Sequence, residues 1–163
     1  MTVRVFLLAL VWLVSPAFAG AGNATPVTVA FDDTNRFTDA GVTQRERERN
    51  LELIQRFLID HVAACIGPQD LVDIRVTDVS LAGRYEWWRS PQGMRIMGPA
   101  DWPRLNLEYR WQGADGDTIA EQRESVADRN YLRRAGLRRD RPLSYEDRMI
   151  RDWARATFCA PSR

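Results

Sequence analysis

Residues 105–111 read Leu-Asn-Leu-Glu-Tyr-Arg-Trp, a strict alternation of apolar and polar side chains. Successive side chains of a strand point to opposite faces. Leu105, Leu107, Tyr109 and Trp111 therefore need cover, while Asn106, Glu108 and Arg110 need water. Gly113-Ala114-Asp115-Gly116 follows with turn chemistry and predicts a hairpin into a strand near Thr118 to Val126. A sheet that is dry on one face and wet on the other calls for one covering layer. Two amphipathic segments can supply it. In the first, Thr43-Gln44-Arg45-Glu46 reads as a capping box. Leu51, Ile54, Leu58, Val62 and Cys65 then recur at three- and four-residue spacing, and Gly67-Pro68 ends the helix. The second runs from Ser144 to about Phe158. Ser144-Tyr145-Glu146-Asp147 opens it as a second capping box, and Tyr145, Met149, Trp153 and Ala156 share a face.

Val27, Val29 and Phe31 alternate before the first helix, Val72, Ile74 and Val76 after it, and Tyr85–Trp88 suits a short strand. The predicted fold is a single α+β domain of two layers: a mixed sheet of about four to five strands with two helices packed on one face. If the first two strands are parallel, their connection crosses over right-handedly.

The N-terminus predicts the compartment. Arg4 precedes ten apolar residues, Val5–Val14, too few for a bilayer core that needs about 20. Ser15-Pro16 breaks the run and Ala17-Phe18-Ala19 has the small-x-small form of a cleavage site. Residues 1–19 are thus expected to be a cleavable signal peptide and 20–163 the mature domain, with cleavage before Gly22 as the second candidate. No second long apolar run follows, so no transmembrane segment is expected in the mature chain. The expected location is the periplasm, with secretion beyond the cell as the alternative. The chain has two cysteines, Cys65 and Cys159, and in an oxidising compartment an even count favours a disulfide.

The formal charge of the whole chain is +1, which argues against a general nucleic-acid binder. Every basic residue is arginine. Six of them, Arg129, Arg133, Arg134, Arg138, Arg139 and Arg141, fall in one stretch against a single acid, Asp140. They form a candidate anion-binding patch for an anionic envelope component, such as anionic lipid or lipopolysaccharide, or for an acidic partner protein.

Catalytic candidates are sparse. His61 is the sole histidine, on the edge of an apolar helix face, where a hydrogen-bonded structural role suits it better than a base beside a nucleophile. Asp32, Asp39 and Asp78 follow strand ends. Parallel first and second strands would bring Asp32 and Asp78 to one sheet edge, where α/β sheets often bind ligands. They form a candidate ligand or cation site, against the alternative that such aspartates close Asx-turns. No cofactor and no metal is expected. Trp87-Trp88-Arg89 is a candidate aromatic platform, with one indole expected in the core and one exposed if the segment is a strand.

These landmarks resemble a family of proteobacterial envelope proteins, domain of unknown function 3016. The resemblance rests on Phe37-Thr38-Asp39, Thr77-Asp78-Val79-Ser80-Leu81-Ala82-Gly83, Arg95-Ile96-Met97, Trp102-Pro103-Arg104-Leu105, Leu143-Ser144-Tyr145-Glu146 and Asp152-Trp153. This chain has Ser80 where that family usually has an acid, and Asp147 where it usually has a lysine. The resemblance implies an envelope location and this element order, and no established activity. The expected function is a non-enzymatic binding or envelope-assembly module; the alternative is a small hydrolase or metal-dependent enzyme using the strand-end aspartates.

Overall fold

The computed structural model describes residues 26–88, 94–134 and 141–159. The signal peptide expected over 1–19, and with it Arg89, Arg138 and Arg139, lies outside the described residues.

The elements run β1 (Val27–Phe31), α1 (Gln44–Ala63), β2 (Leu71–Ser80), β3 (Arg84–Tyr85), β4 (Arg95–Ile96), β5 (Arg104–Gln112), β6 (Thr118–Ala127) and α2 (Ser144–Phe158). Four strands form one mixed sheet in the order β1-β2-β5-β6, and β3 pairs with β4 in a small second sheet. β1 and β2 are parallel, in register from Val27 against Val72 to Phe31 against Val76. The β2–β5 and β5–β6 pairs are antiparallel. The fold is the expected α+β class, with helices packed on the sheet.

The alternation reads out as burial. Val72, Ile74 and Val76 of β2 and Leu105, Leu107 and Tyr109 of β5 are buried against the helices. β2 then changes phase, because Val79 and Leu81 are also buried. A register irregularity between Val76 and Asp78 makes this possible: an extra residue in one strand of a pair reverses which side chains face the core. The wet face carries charges in cross-strand pairs, Arg110 with Glu121 at 3.1 Å and Arg123 with Glu108 at 2.5 Å.

α1 buries Leu51, Ile54, Leu58 and Val62 as the spacing predicts. Its cap is shifted by one residue from the standard box. The Thr43 hydroxyl accepts from the Glu46 N–H at 3.2 Å, and the Glu46 carboxylate accepts from the Val42 N–H at 3.0 Å.

α2 departs further from expectation. Its N-cap is Leu143, in the left-handed region at φ 51°, with no side-chain cap bond. Ser144 already belongs to the helix, and the Glu146 carboxylate of the supposed box is drawn away to a tertiary partner. The buried stripe is also wider than expected and leaves out one predicted residue. It keeps the expected Tyr145, Met149 and Trp153 and adds Ile150, Ala154 and Phe158, while Ala156 is exposed. The cause is the sheet contact: Phe158 and Trp153 stack edge-on with Tyr109 at 5.2 and 6.0 Å between ring centres. A disulfide joins Cys65, just past α1, to Cys159, just past α2, with Cα atoms 4.6 Å apart.

Candidate functional site at the loop end of the sheet

The C-terminal ends of β1 and β2 meet the start of β5 and the end of β6 at one end of the sheet. There the segment Leu81-Ala82-Gly83 leaves β2. Its backbone has little ladder to bond with, and unbonded amides and carbonyls at a buried position are costly. Side chains and neighbouring loops supply the partners. The Leu81 N–H donates to the Asp39 carbonyl (3.0 Å), the Ala82 N–H to the Glu146 carboxylate (2.7 Å) and the Gly83 N–H to the Asp101 carbonyl (2.8 Å). On the acceptor side, the Arg95 guanidinium reaches all three carbonyls: Ala82 at 3.0 Å, Leu81 at 3.4 Å, and Gly83 in the closest contact. The same guanidinium forks onto Asp39, at 3.2 and 2.6 Å, the bidentate geometry at which arginine excels.

Gly83 is required twice over. Its φ is +69°, and a Cβ there would lie 2.7 Å from the Ile96 carbonyl oxygen, closer than side-chain carbons approach. Glycine alone fits both constraints.

Glu146 is the buried carboxylate of this clamp, 2% exposed. Burial pushes its pKa above the ordinary glutamate value, and Asp39 adds to the rise; the Ala82 amide and Arg95 oppose it.

The aspartates singled out in the sequence divide as follows. Asp39 and Asp78 come together around Thr38: the Asp78 carboxylate accepts from the Thr38 N–H at 2.7 Å and hydroxyl at 2.9 Å, and Arg104 stands 3.5 Å away. Asp39 bridges to Ser80 in a single parallel pair that extends the sheet. Asp32 faces Arg75 at 3.2 Å on the wet side of the sheet. Each of the three carboxylates thus has an arginine beside it, and among the described residues no three His, Cys, Asp or Glu side chains gather as a metal-holding group. His61 joins the two helices through Asp147, 2.6 Å away.

The arginine stretch also divides. Arg134 is an internal partner of the buried Asp128, at 3.0 Å, and of Asp152. Arg129 lies over the Trp102 ring, 5.6 Å from its centre. Arg133 and Arg141 are exposed.

Two concavities flank these groups. A cleft of about 320 Å³ is lined by Thr38, Asp39, Ser80, Arg84, Trp102 and Arg104 among others. A broader trough of about 700 Å³ runs along the charged wet face of the sheet.

Beyond the clamp, the β3–β4 hairpin carries Trp87 and Trp88. The strand expected over Tyr85–Trp88 ends at Tyr85, and residues 87–88 form a turn, so strand alternation does not apply to them. Neither indole enters the core. Trp87 is 69% and Trp88 63% exposed, their rings edge-on at 5.9 Å.

Sequence reasoning did not single out Arg95, Arg104 or Glu146 as site residues. Each stands inside a stretch that carries the family resemblance, so the signal was the set of short motifs, which converge on one loop in space.

The fold and this end together define a two-layer α+β domain whose sequence motifs build a polar loop clamp beneath an exposed aromatic hairpin. The chain belongs to the family described as "Protein of unknown function (DUF3016)", whose model matches residues 25–156, most of the chain. No curated protein matches it.

Proposed function

We propose that this protein is a non-enzymatic binding or assembly module of the bacterial envelope, exported to the periplasm by residues 1–19, and that it meets its partner with the loop end of the sheet. The observation that carries the reading is the exposed pair Trp87 and Trp88. Large aromatic side chains left in water beside a well-bonded loop are characteristic of binding surfaces. Support comes from the acids. Asp39 and Asp78 hold arginines, a backbone amide and a hydroxyl, which suits a loop-building role better than acid–base work.

Site-specific photo-crosslinking tests this. The full chain, with its signal peptide, is expressed in cells with a photoreactive residue at position 88 or, as control, at position 119. Ile119 is also exposed, but lies on β6 near the opposite end of the sheet. Adducts that form in the periplasmic fraction from position 88 and not from 119 are expected. Equal labelling from both positions, or none, would refute the reading. N-terminal sequencing of the same material should begin at Gly20.

A further inference from the structure

We propose that the β3–β4 hairpin docks the protein onto the surface of an anionic phospholipid bilayer, the Trp87 and Trp88 indoles entering the interfacial layer and neighbouring arginines meeting the headgroup phosphates. This rests on the reading that the loop end is the binding surface, and it names the partner.

The apolar part is concentrated. Of the seven exposed large apolar side chains among the described residues, four fall between positions 87 and 97: Trp87, Trp88, Met94 and Met97. The tryptophans elsewhere in the fold that contact the core behave differently. The Trp111 indole N–H donates to Asp70 at 3.1 Å and that of Trp153 to Glu124 at 2.7 Å. The hairpin indoles have no such acceptor among the described residues, and both rings are exposed. That combination suits the headgroup layer, where the ring meets acyl chain and the N–H meets a carbonyl or phosphate oxygen.

The charge around the hairpin is complementary to an anionic surface. The turn at Tyr131–Arg133 is tied to the hairpin's base, since the Tyr131 hydroxyl donates to the Gly98 carbonyl at 2.7 Å and Arg129 covers Trp102. Arg129, Arg133 and Arg141 are exposed and have no carboxylate partner among the described residues. The acids nearby are withdrawn or paired: Glu86 and Asp128 are buried and each has an arginine, Arg84 and Arg134, and the half-buried Asp101 stands 3.9 Å from Arg84. Among the described residues, what faces outward on this side of the end is therefore mainly aromatic and cationic. Trp87 and Trp88 line neither the cleft nor the trough; they are exposed on a turn, where a deformable lipid surface can meet them. No described helix is long and apolar enough to cross a membrane, so contact would be at the surface, by a small apolar insertion plus electrostatic attraction.

The test is flotation of the purified, disulfide-bonded protein with vesicles of phosphatidylethanolamine and phosphatidylglycerol, against vesicles of phosphatidylcholine alone. Binding to the anionic vesicles only is expected, fading as salt rises through the physiological range, where the Debye length is about 8 Å. Brominated lipids should quench part of the tryptophan emission. Trp87→Ser with Trp88→Ser should abolish that quenching and weaken binding by about tenfold or more, because these indoles have the most apolar surface to remove from water. Arg133→Gln with Arg141→Gln should weaken binding and flatten its salt dependence. Both variants should melt like the wild type, since all four side chains are exposed. The proposal is overturned by wild-type protein that ignores anionic vesicles at low salt, or by a tryptophan variant that binds as the wild type does. A protein adduct from position 88, with vesicles ignored, would overturn the bilayer as partner and leave the binding-module reading standing.

Discussion

Removing the Cys65–Cys159 disulfide should cost this domain a large part of its stability without undoing its packing. The two cysteines are 94 residues apart in sequence, so the bond closes most of the described fold into one loop. In the chain-entropy model a loop of about this length restricts the unfolded chain by about 4.5–5 kcal/mol at 25 °C. The folded side loses little. α1 and α2 pack together in one apolar core that includes Leu58, Val62, Ile150 and Ala154, and this packing does not depend on the sulfur bridge. Domains of this size are stable by about 5–15 kcal/mol, so the loss is a third or more of the total. With a urea dependence of about 2 kcal/mol per molar, the unfolding midpoint of Cys65→Ser with Cys159→Ser should fall by about 2 M. The assay is urea unfolding followed by tryptophan emission and far-UV circular dichroism, oxidised wild type against the double variant. The slope should rise slightly in the variant, because its unfolded chain is less compact. A midpoint displaced by less than about 0.5 M would refute the reasoning. So would two reactive thiols per chain in protein unfolded without reductant.

Two further perturbations address the clamp. Glu146 has a raised pKa, so between the ordinary glutamate value and its folded value the native state holds more proton than the unfolded one; its contribution to stability is present in acid and declines as pH rises through that window. Glu146→Gln keeps an acceptor for the Ala82 N–H and should flatten that decline, while Glu146→Ala leaves the amide orphaned and should cost about 1–3 kcal/mol; urea midpoints across the acid-to-neutral range check both, and a Glu146→Gln profile that parallels the wild type would count against the buried carboxylate. Asp78→Asn should lower stability by about 1–2 kcal/mol by weakening the bonds to Thr38. Loss in that variant of a calcium- or magnesium-induced rise in wild-type melting temperature would instead mark Asp78 as part of a cation site.

The covering layer and the sheet were legible because both rest on periodicity. Leu105 to Trp111 could not be anything but a half-buried strand, and α1's apolar spacing returned its four buried residues, while the fifth of the series, Cys65, lies just past the helix and is half-buried. What periodicity cannot carry is tertiary competition for a side chain. The pattern Ser144-Tyr145-Glu146-Asp147 satisfies the local rule for a capping box, yet Glu146 bonds Ala82, more than sixty residues away in sequence, and the helix starts without a side-chain cap. The phase change in β2 was hidden for a similar reason: a bulge at Thr77 is decided by what Val79 and Leu81 can pack against. Trp87-Trp88 misled in the opposite sense. Aromatic residues favour strands, but the ladder between β3 and β4 holds only Arg84–Tyr85 against Arg95–Ile96, too short to orient the residues beyond it. The candidate site was legible only as fragments. Asp39 and Asp78 drew attention as strand-end acids, while their partners Arg95 and Arg104 lay in motifs whose proximity no spacing rule reveals.

Both ends of the sheet bury apolar side chains, but the loop end adds a network of polar bonds, and that difference bears on where a partner can bind. α1 runs back from the end of β1 to the start of β2, so Cys65 and Cys159 close the end opposite the clamp. There the packing is apolar and aromatic, with Trp111 and Phe158 edge-on at 5.4 Å. At the loop end apolar burial of Leu81 and of the Ala82, Tyr131 and Tyr145 cluster is joined by one guanidinium bonded to three successive carbonyls and an aspartate, and by one buried carboxylate bonded to an amide. Burying apolar side chains is the usual means of holding a loop still, and it removes those side chains from the surface. Directional polar bonds hold Leu81-Ala82-Gly83 without drawing on the hairpin's tryptophans. The indoles are left outside on a base fixed by several polar bonds, which limits the ordering cost a binding surface incurs when it meets its partner.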